Sequence, residues 1–282
     1  MVKRLITAAI GIPIGIFVLY LNNKDLMAGV TAILSVVAVY EILSARKYIA
    51  HKAVALTAMV FSFILPLAFC YDKIRGGVVV IAFLFLMLMF CAMLVNHKNV
   101  SFEEVGLVAL AAICIPLSIS TLAFFMFRYE KYGVFFIVYT LVTTWMADGG
   151  AYFAGTFFGK HKLAPEISPK KTWEGFIGGL FCSALSGALC GWGYEFLTAW
   201  FGKDGLTFQT NTPILAATGF FVAWVGLLGD LSMSLLKRQS GIKDFGNLLP
   251  GHGGIMDRFD SVVFTAPFVY LVFQIFFPIK PI

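Results

Sequence analysis

Carboxylates, basic residues and glycines crowd one short stretch of an otherwise apolar chain. Asp230, Ser234 and Lys237 are spaced i, i+4 and i+7, so on a helix they share one face. Asp257 and Asp260 follow at i and i+3, again one helical face. Between the two sets lie Arg238, Lys243, Asp244, His252, Gly253 and Gly254, and Arg258 follows Asp257. Mg²⁺ takes oxygen ligands, usually one or two carboxylates with waters and substrate phosphates. Asp230 and Asp257, with Asp260, Asp244 or Asp148, supply such ligands. Lys237, Arg238, Lys243 and Arg258 supply cations that neutralise triphosphate oxygens. Gly253 and Gly254 let the backbone approach a ligand closely. The sequence has no Cys/His cluster of zinc type, and no P-loop, HExxH or dinucleotide fingerprint. The chemistry indicated is metal-assisted phosphoryl or nucleotidyl transfer.

A second polar stretch precedes this one. Asp148-Gly149-Gly150 closes an apolar run. Lys160, Lys162, Lys170 and Lys171 then gather around Ser168 and Thr172, just ahead of another apolar run. A helix N-terminus attracts anions through its free N–H groups and its dipole. Ser168-Pro169-Lys170-Lys171-Thr172 therefore reads as a phosphate-facing loop. The competing reading is a basic loop against anionic lipid head groups.

The elements that must position these residues are membrane spans. Hydrophobic residues make up 60% of the 282 and charged residues 13%, and mean hydropathy is +0.88. A soluble domain carries about 25% charged residues. Crossing a bilayer takes about 20 apolar residues. That rule predicts an all-α, polytopic membrane protein of about nine spans: 5–21, 26–43, 53–70, 78–95, 105–127, 133–147, 174–199, 213–233 and 261–279. No segment is polar enough for a soluble domain. The chain reads as one membrane domain, 1–282, with structural helices over 1–130 and the catalytic region over 140–260. Glu41, near a span end, is the main buried-charge exception in the front half, and a capping or interfacial role suits it better than catalysis. Gly175, Gly179, Ser183, Gly187 and Gly191 form a small-residue stripe, suited to tight helix packing. Packing within the chain is expected, with a homodimer as the other arrangement such a stripe allows.

With nine spans, 14 of the 21 lysines and arginines fall on the side of the N-terminus. Positive residues favour the cytoplasmic side. The N-terminus and both large polar loops are thus expected in the cytoplasm. No A-x-A site follows Met1-Val2-Lys3-Arg4, so the first span is expected to be retained. The net charge of +6 belongs to these flanks, and no basic-aromatic patch points to nucleic acid. Cys70, Cys91, Cys114, Cys182 and Cys190 all sit in apolar runs and read as buried, inert thiols.

The run from Ser234 to Asp260 resembles the signature of the phosphatidate cytidylyltransferases (CDP-diacylglycerol synthases). Ser234, Lys237, Arg238, Lys243, Asp244, Gly246, Pro250, His252, Gly253, Gly254, Asp257, Arg258 and Asp260 fill its defined positions. Asp148 to Tyr152 and Lys162 to Trp173 resemble bacterial members as well. The resemblance implies transfer of a cytidylyl group from CTP to phosphatidate in a bacterial inner membrane, releasing pyrophosphate. It implies that Asp230 and Asp257 hold Mg²⁺, with Asp260 and Asp244 in support and a second cation as an addition. Lys237, Arg238, Lys243 and Arg258 would clamp phosphates, and Ser168, Lys171 and Thr172 would help close the site. His252 would position substrate rather than act as a base, because a phosphate nucleophile is already anionic. Two rival readings are another nucleotide-dependent lipid-phosphate or polyprenol enzyme and a transporter. A transporter is expected to spread its charges through several mid-span positions, whereas these are expected to gather at one face of the membrane, which favours an enzyme.

Overall fold

The computed structural model describes residues 2–201, 208–248, 251 and 253–281. The elements run α1 (Val2–Tyr20), α2 (Lys24–Ala45), a 3₁₀ turn (Tyr48–Ala50), α3 (Lys52–Cys70), α4 (Asp72–Arg75), α5 (Val78–Val95), α6 (Phe102–Arg128) and α7 (Gly133–Phe158). There follow β1 (Lys162–Ala164), β2 (Ser168–Thr172), α8 (Trp173–Phe201), β3 (Phe208–Thr210), α9 (Thr212–Gln239), α10 (Met256–Phe259), α11 (Val262–Ile275) and β4 (Ile279–Pro281). Among the described residues, eight helical segments are long and apolar enough to cross a membrane, counting α10 and α11 together as Met256–Ile275. α1 adds a further helix of 19 residues. The protein is an all-α polytopic membrane protein.

Local chemistry sets the helix ends. Asn23 accepts the N–H groups of Asp25 and Leu26 at the start of α2. Ser101 and Glu104 form a reciprocal capping box at the start of α6. Pro66, Pro116 and Pro267 lie inside helices, as spans tolerate when neighbours satisfy the freed carbonyls.

The chain divides into two compact units. The first comprises Met1–Val134 and Lys237–Phe259. Here α2, α3 and α6 pack on one another through small buried residues such as Ala28, Ala32, Ala58 and Ala112. α5 joins α3 through a stacked pair, Phe61 and Phe85, 4.0 Å between centroids. The second unit comprises Phe135–Leu236 and Asp260–Ile282. Its core holds Tyr139, Phe136 and Phe273. The Tyr139 hydroxyl donates to the Leu215 carbonyl at 2.6 Å. The Ser183 hydroxyl lies within bonding distance of the Thr143 and Gly219 carbonyls, and Thr144 meets Thr265 at 2.8 Å. Such polar contacts tie helices together where lipid removes the hydrophobic drive.

Several expectations change. The sixth span does not end near Asp148. α7 runs on to Phe158, because Gly150 and Gly155 press against Cys182 and Thr172 instead of breaking the helix. The last span is divided between α10 and α11, with Asp260 in the turn between them. Short strands appear outside the spans as two antiparallel pairs, β1 with β2 and β3 with β4. The small-residue stripe does pack within the chain: a Cβ on Gly179 would meet the Ala147 carbonyl at 2.8 Å, and one on Gly187 the Leu215 carbonyl at 2.6 Å. The five thiols are free, but Cys91 and Cys114 are exposed rather than buried.

Candidate active site

In the second unit, three elements converge on two aspartates. α9 continues to Gln239, so Asp230 and Ser234 do share a helical face, and the Ser234 hydroxyl donates to Asp230 Oδ1 at 3.2 Å. The other oxygen, Oδ2, lies 2.5 Å from Lys171 Nζ on β2. Asp148, exposed on α7, is within electrostatic reach of both Asp230 and Lys171. Its Oδ2 accepts the Ser261 hydroxyl at 3.3 Å. Asp260 accepts the Ser261 N–H at 2.8 Å, and its carbonyl stands against the backbone of Gly229. Like charges so close need a cation, and Lys171 is in contact with Asp230.

The expected phosphate-facing loop is a β-hairpin. β2 pairs with β1 in the register Lys162↔Thr172 and Ala164↔Ser168, and runs directly into α8. Thr172 is buried, and its hydroxyl accepts the Gly175 N–H at 3.1 Å. It caps α8, so its oxygen serves the helix rather than standing open to a phosphate. Ser168 is half-buried at the far end of β2. Glu174 in the first turn of α8 accepts the N–H groups of Lys160 and His161 and meets the His161 ring at 2.6 Å. That carboxylate pins the hairpin's base to the helix which Lys171 must precede.

The first unit holds the rest of the signature. α9 ends where Gly241 takes a left-handed conformation, φ +67°, and the N–H groups of Gly241 and Ile242 return to the Arg238 and Lys237 carbonyls at 3.0 Å. The Arg46 guanidinium donates to the Gln239 carbonyl at 3.1 Å. Lys237 is buried, and its ammonium lies 3.0 Å from Asp257 Oδ1 and 5.3 Å from the centre of the Phe245 ring. Asp257 Oδ2 accepts the N–H groups of Phe245 and Gly254, both at 2.9 Å. Gly253 at φ +83° makes the turn that returns Gly254 to this carboxylate. Arg238, Lys243, Asp244 and Arg258 are exposed around the segment. His252 lies outside the described residues.

Asp257 and Asp260 do not share a regular helix, because α10 is a single turn that stops at Phe259. Among the described residues no three His, Cys, Asp or Glu side chains cluster at metal-binding distance. The structure instead pairs carboxylate with lysine twice, Asp230 with Lys171 and Asp257 with Lys237. Glu41 is the residue that sequence spacing did not assign to the site. It comes from α2, is buried, and accepts the N–H groups of Ile255 and Met256 at 2.9 and 2.8 Å. A buried acid in the apolar front half was the available signal.

Span-length helices, a partly exposed lysine–carboxylate pair in one unit and a buried one within the glycine-rich basic segment of the other define a polytopic membrane protein with charges suited to phosphates. Residues 2–276 match the cytidylyltransferase family, and the chain belongs to that family. It is 34% identical over 291 residues to the phosphatidate cytidylyltransferase of Bacillus subtilis (strain 168), covering 98% of each chain. It is 44% identical over 150 residues to that of Staphylococcus aureus (strain COL), covering 52% of this chain and 53% of that one. It is 40% identical over 137 residues to that of Haemophilus influenzae (strain ATCC 51907 / DSM 11121 / KW20 / Rd), covering 49% and 45%.

Proposed function

We propose that this protein transfers the cytidylyl group of CTP to phosphatidate, giving CDP-diacylglycerol and pyrophosphate for phospholipid synthesis. The observation that carries the reading is the pair of lysine–carboxylate contacts, Lys171–Asp230 and Lys237–Asp257, in a membrane-spanning member of the cytidylyltransferase family. In the reaction an oxygen of the phosphatidate phosphate forms a bond to the α-phosphorus of CTP. The bond from that phosphorus to the bridging oxygen breaks, and pyrophosphate leaves with the electron pair. The nucleophile is already an anion, so no side-chain base is required.

Charge placement is then the main task of the side chains. Lys237, Arg238, Lys243 and Arg258 neutralise phosphate oxygens, and Lys171 does the same from the hairpin. The donors of the second unit suit Mg²⁺: Asp148 is exposed, Asp230 presents an oxygen whose contact is a lysine ammonium, and both are hard oxygen ligands. Within the second unit, Asp148 and Asp230 would hold Mg²⁺, whose charge when bound would offset that on the departing pyrophosphate. Ser234 and Ser261 keep Asp230 and Asp148 oriented. Gly253 and Gly254 keep the backbone close to the ligand.

With α1 as a ninth crossing, the Lys and Arg distribution supports a cytoplasmic N-terminus and cytoplasmic polar loops, on the side where CTP is available. In a bacterium the membrane is then the inner one. The small-residue stripe is consumed within the chain, so a homodimer would need another surface. The test supplies purified protein and Mg²⁺ with radiolabelled CTP and either phosphatidate or a polyprenol. Label appearing in a CDP-lipid only with phosphatidate is the expected result. Label transferred to polyprenol, or to neither, would overturn the reading.

A further inference from the structure

Three successive backbone N–H groups ahead of Asp257 all end on carboxylates. Gly254 donates to Asp257 Oδ2 at 2.9 Å, Ile255 to Glu41 Oε1 at 2.9 Å and Met256 to Glu41 Oε2 at 2.8 Å. These are the donors that precede and open α10, which an isolated turn would leave to water. Glu41 is 4% exposed and stands about one turn from the C-terminal end of α2, far away in sequence. The segment closes tightly over it: a Cβ on Gly246 would lie 2.6 Å from Glu41 Oε1, and one on Gly254 would collide with the same carboxylate. Gly241, Gly246, Gly251, Gly253 and Gly254 leave this stretch little stiffness of its own. Its conformation is therefore set by what its amides bond to.

We propose that Glu41 is a positioning residue for the transfer reaction. By holding Ile255 and Met256, it fixes the backbone immediately before Asp257, and so fixes the geometry in which Asp257 and Lys237 meet their ligands. The inference rests on the cytidylyl-transfer reading above. Two acceptor oxygens are needed, one for each N–H, and a glutamate supplies both. A glutamine supplies one acceptor and turns an NH₂ donor towards the other N–H. Both Glu41 oxygens are taken up by the Ile255 and Met256 N–H groups, so its loss acts on turnover through Asp257.

The experiment compares wild type, Glu41→Gln and Glu41→Asp in the CTP-to-phosphatidate assay, with thermal unfolding followed in the same detergent. The expected result is a fall in kcat of about tenfold or more for Glu41→Gln, with KM for phosphatidate within about twofold of wild type. Glu41→Asp, which keeps two acceptors, recovers part of that loss. A wild-type kcat in Glu41→Gln would overturn the inference. So would a loss that follows only the fraction of folded protein, or one that falls on KM alone. An inactive wild type overturns the functional reading and this inference together, whereas an active wild type beside an unaffected Glu41→Gln overturns this inference alone.

Discussion

Lys171, on a two-stranded hairpin, places its ammonium 2.5 Å from the carboxylate of Asp230 on α9. Both side chains are partly exposed, at 22% and 26%. An exposed ion pair contributes only about 0–1 kcal/mol to stability, so the pairing matters chiefly for the charge at Asp230. Asp148 shares that neighbourhood. Lysine thus stands on the carboxylates to which the proposed divalent cation would bind.

Replacing Lys171 by glutamine separates its two effects. Turnover is expected to fall by about 10- to 100-fold, because a phosphate-neutralising cation is lost. The Mg²⁺ concentration for half-maximal activity is expected to fall too, since Asp230 no longer shares its charge with an ammonium. A Mg²⁺ titration of the variant checks both, and an unchanged kcat would remove Lys171 from the site.

Asp257→Asn is expected to lower transfer activity by at least about 100-fold, since it strips charge from a carboxylate that organises Lys237 and two backbone amides. Chelation of divalent cations is expected to abolish the activity of the wild type, and added Mg²⁺ to restore it. Normal turnover of Asp257→Asn in saturating Mg²⁺, measured as CTP-dependent CDP-lipid formation, would sink its assignment.

Thr172 offers a test of cap against ligand. Losing a threonine N-cap costs about 1 kcal/mol, so Thr172→Ala is expected to lower the unfolding midpoint while Thr172→Ser keeps it. KM for both substrates is expected to stay within about twofold, since the hydroxyl is spent on Gly175. A large rise in KM without a change in stability would return Thr172 to the substrate.

Two glycines of α8 should respond in opposite directions to alanine. A Cβ on Gly179 would press on the Ala147 carbonyl at 2.8 Å and the Ala151 Cβ at 3.2 Å. Overpacking of this kind costs about 1–3 kcal/mol. A Cβ on Gly193 would meet nothing within 4 Å, and alanine is favoured over glycine in a helix by about 1 kcal/mol. Thermal unfolding in detergent should therefore show Gly179→Ala lowered and Gly193→Ala level or raised.

What the sequence determined by itself was whatever depends on local composition. Apolar runs of bilayer length announced the helices, since each span must satisfy its own backbone hydrogen bonds. The Asp230, Ser234 and Lys237 spacing announced one helical face, and α9 provides it. The crowding of Lys, Arg and Asp into one region announced phosphate chemistry, and its pattern carried the family. The tertiary structure decided the rest. Asp148 lies within α7 because the neighbouring glycines serve helix contact, which composition does not distinguish from a helix end. Thr172 became a cap and Lys171 a partner of Asp230 because a hairpin, not a loop, precedes α8. Glu41 reached Ile255 and Met256 because the signature segment folds back onto α2. Its partners there are backbone N–H groups, which every residue except proline carries, so no side-chain pattern could have marked them.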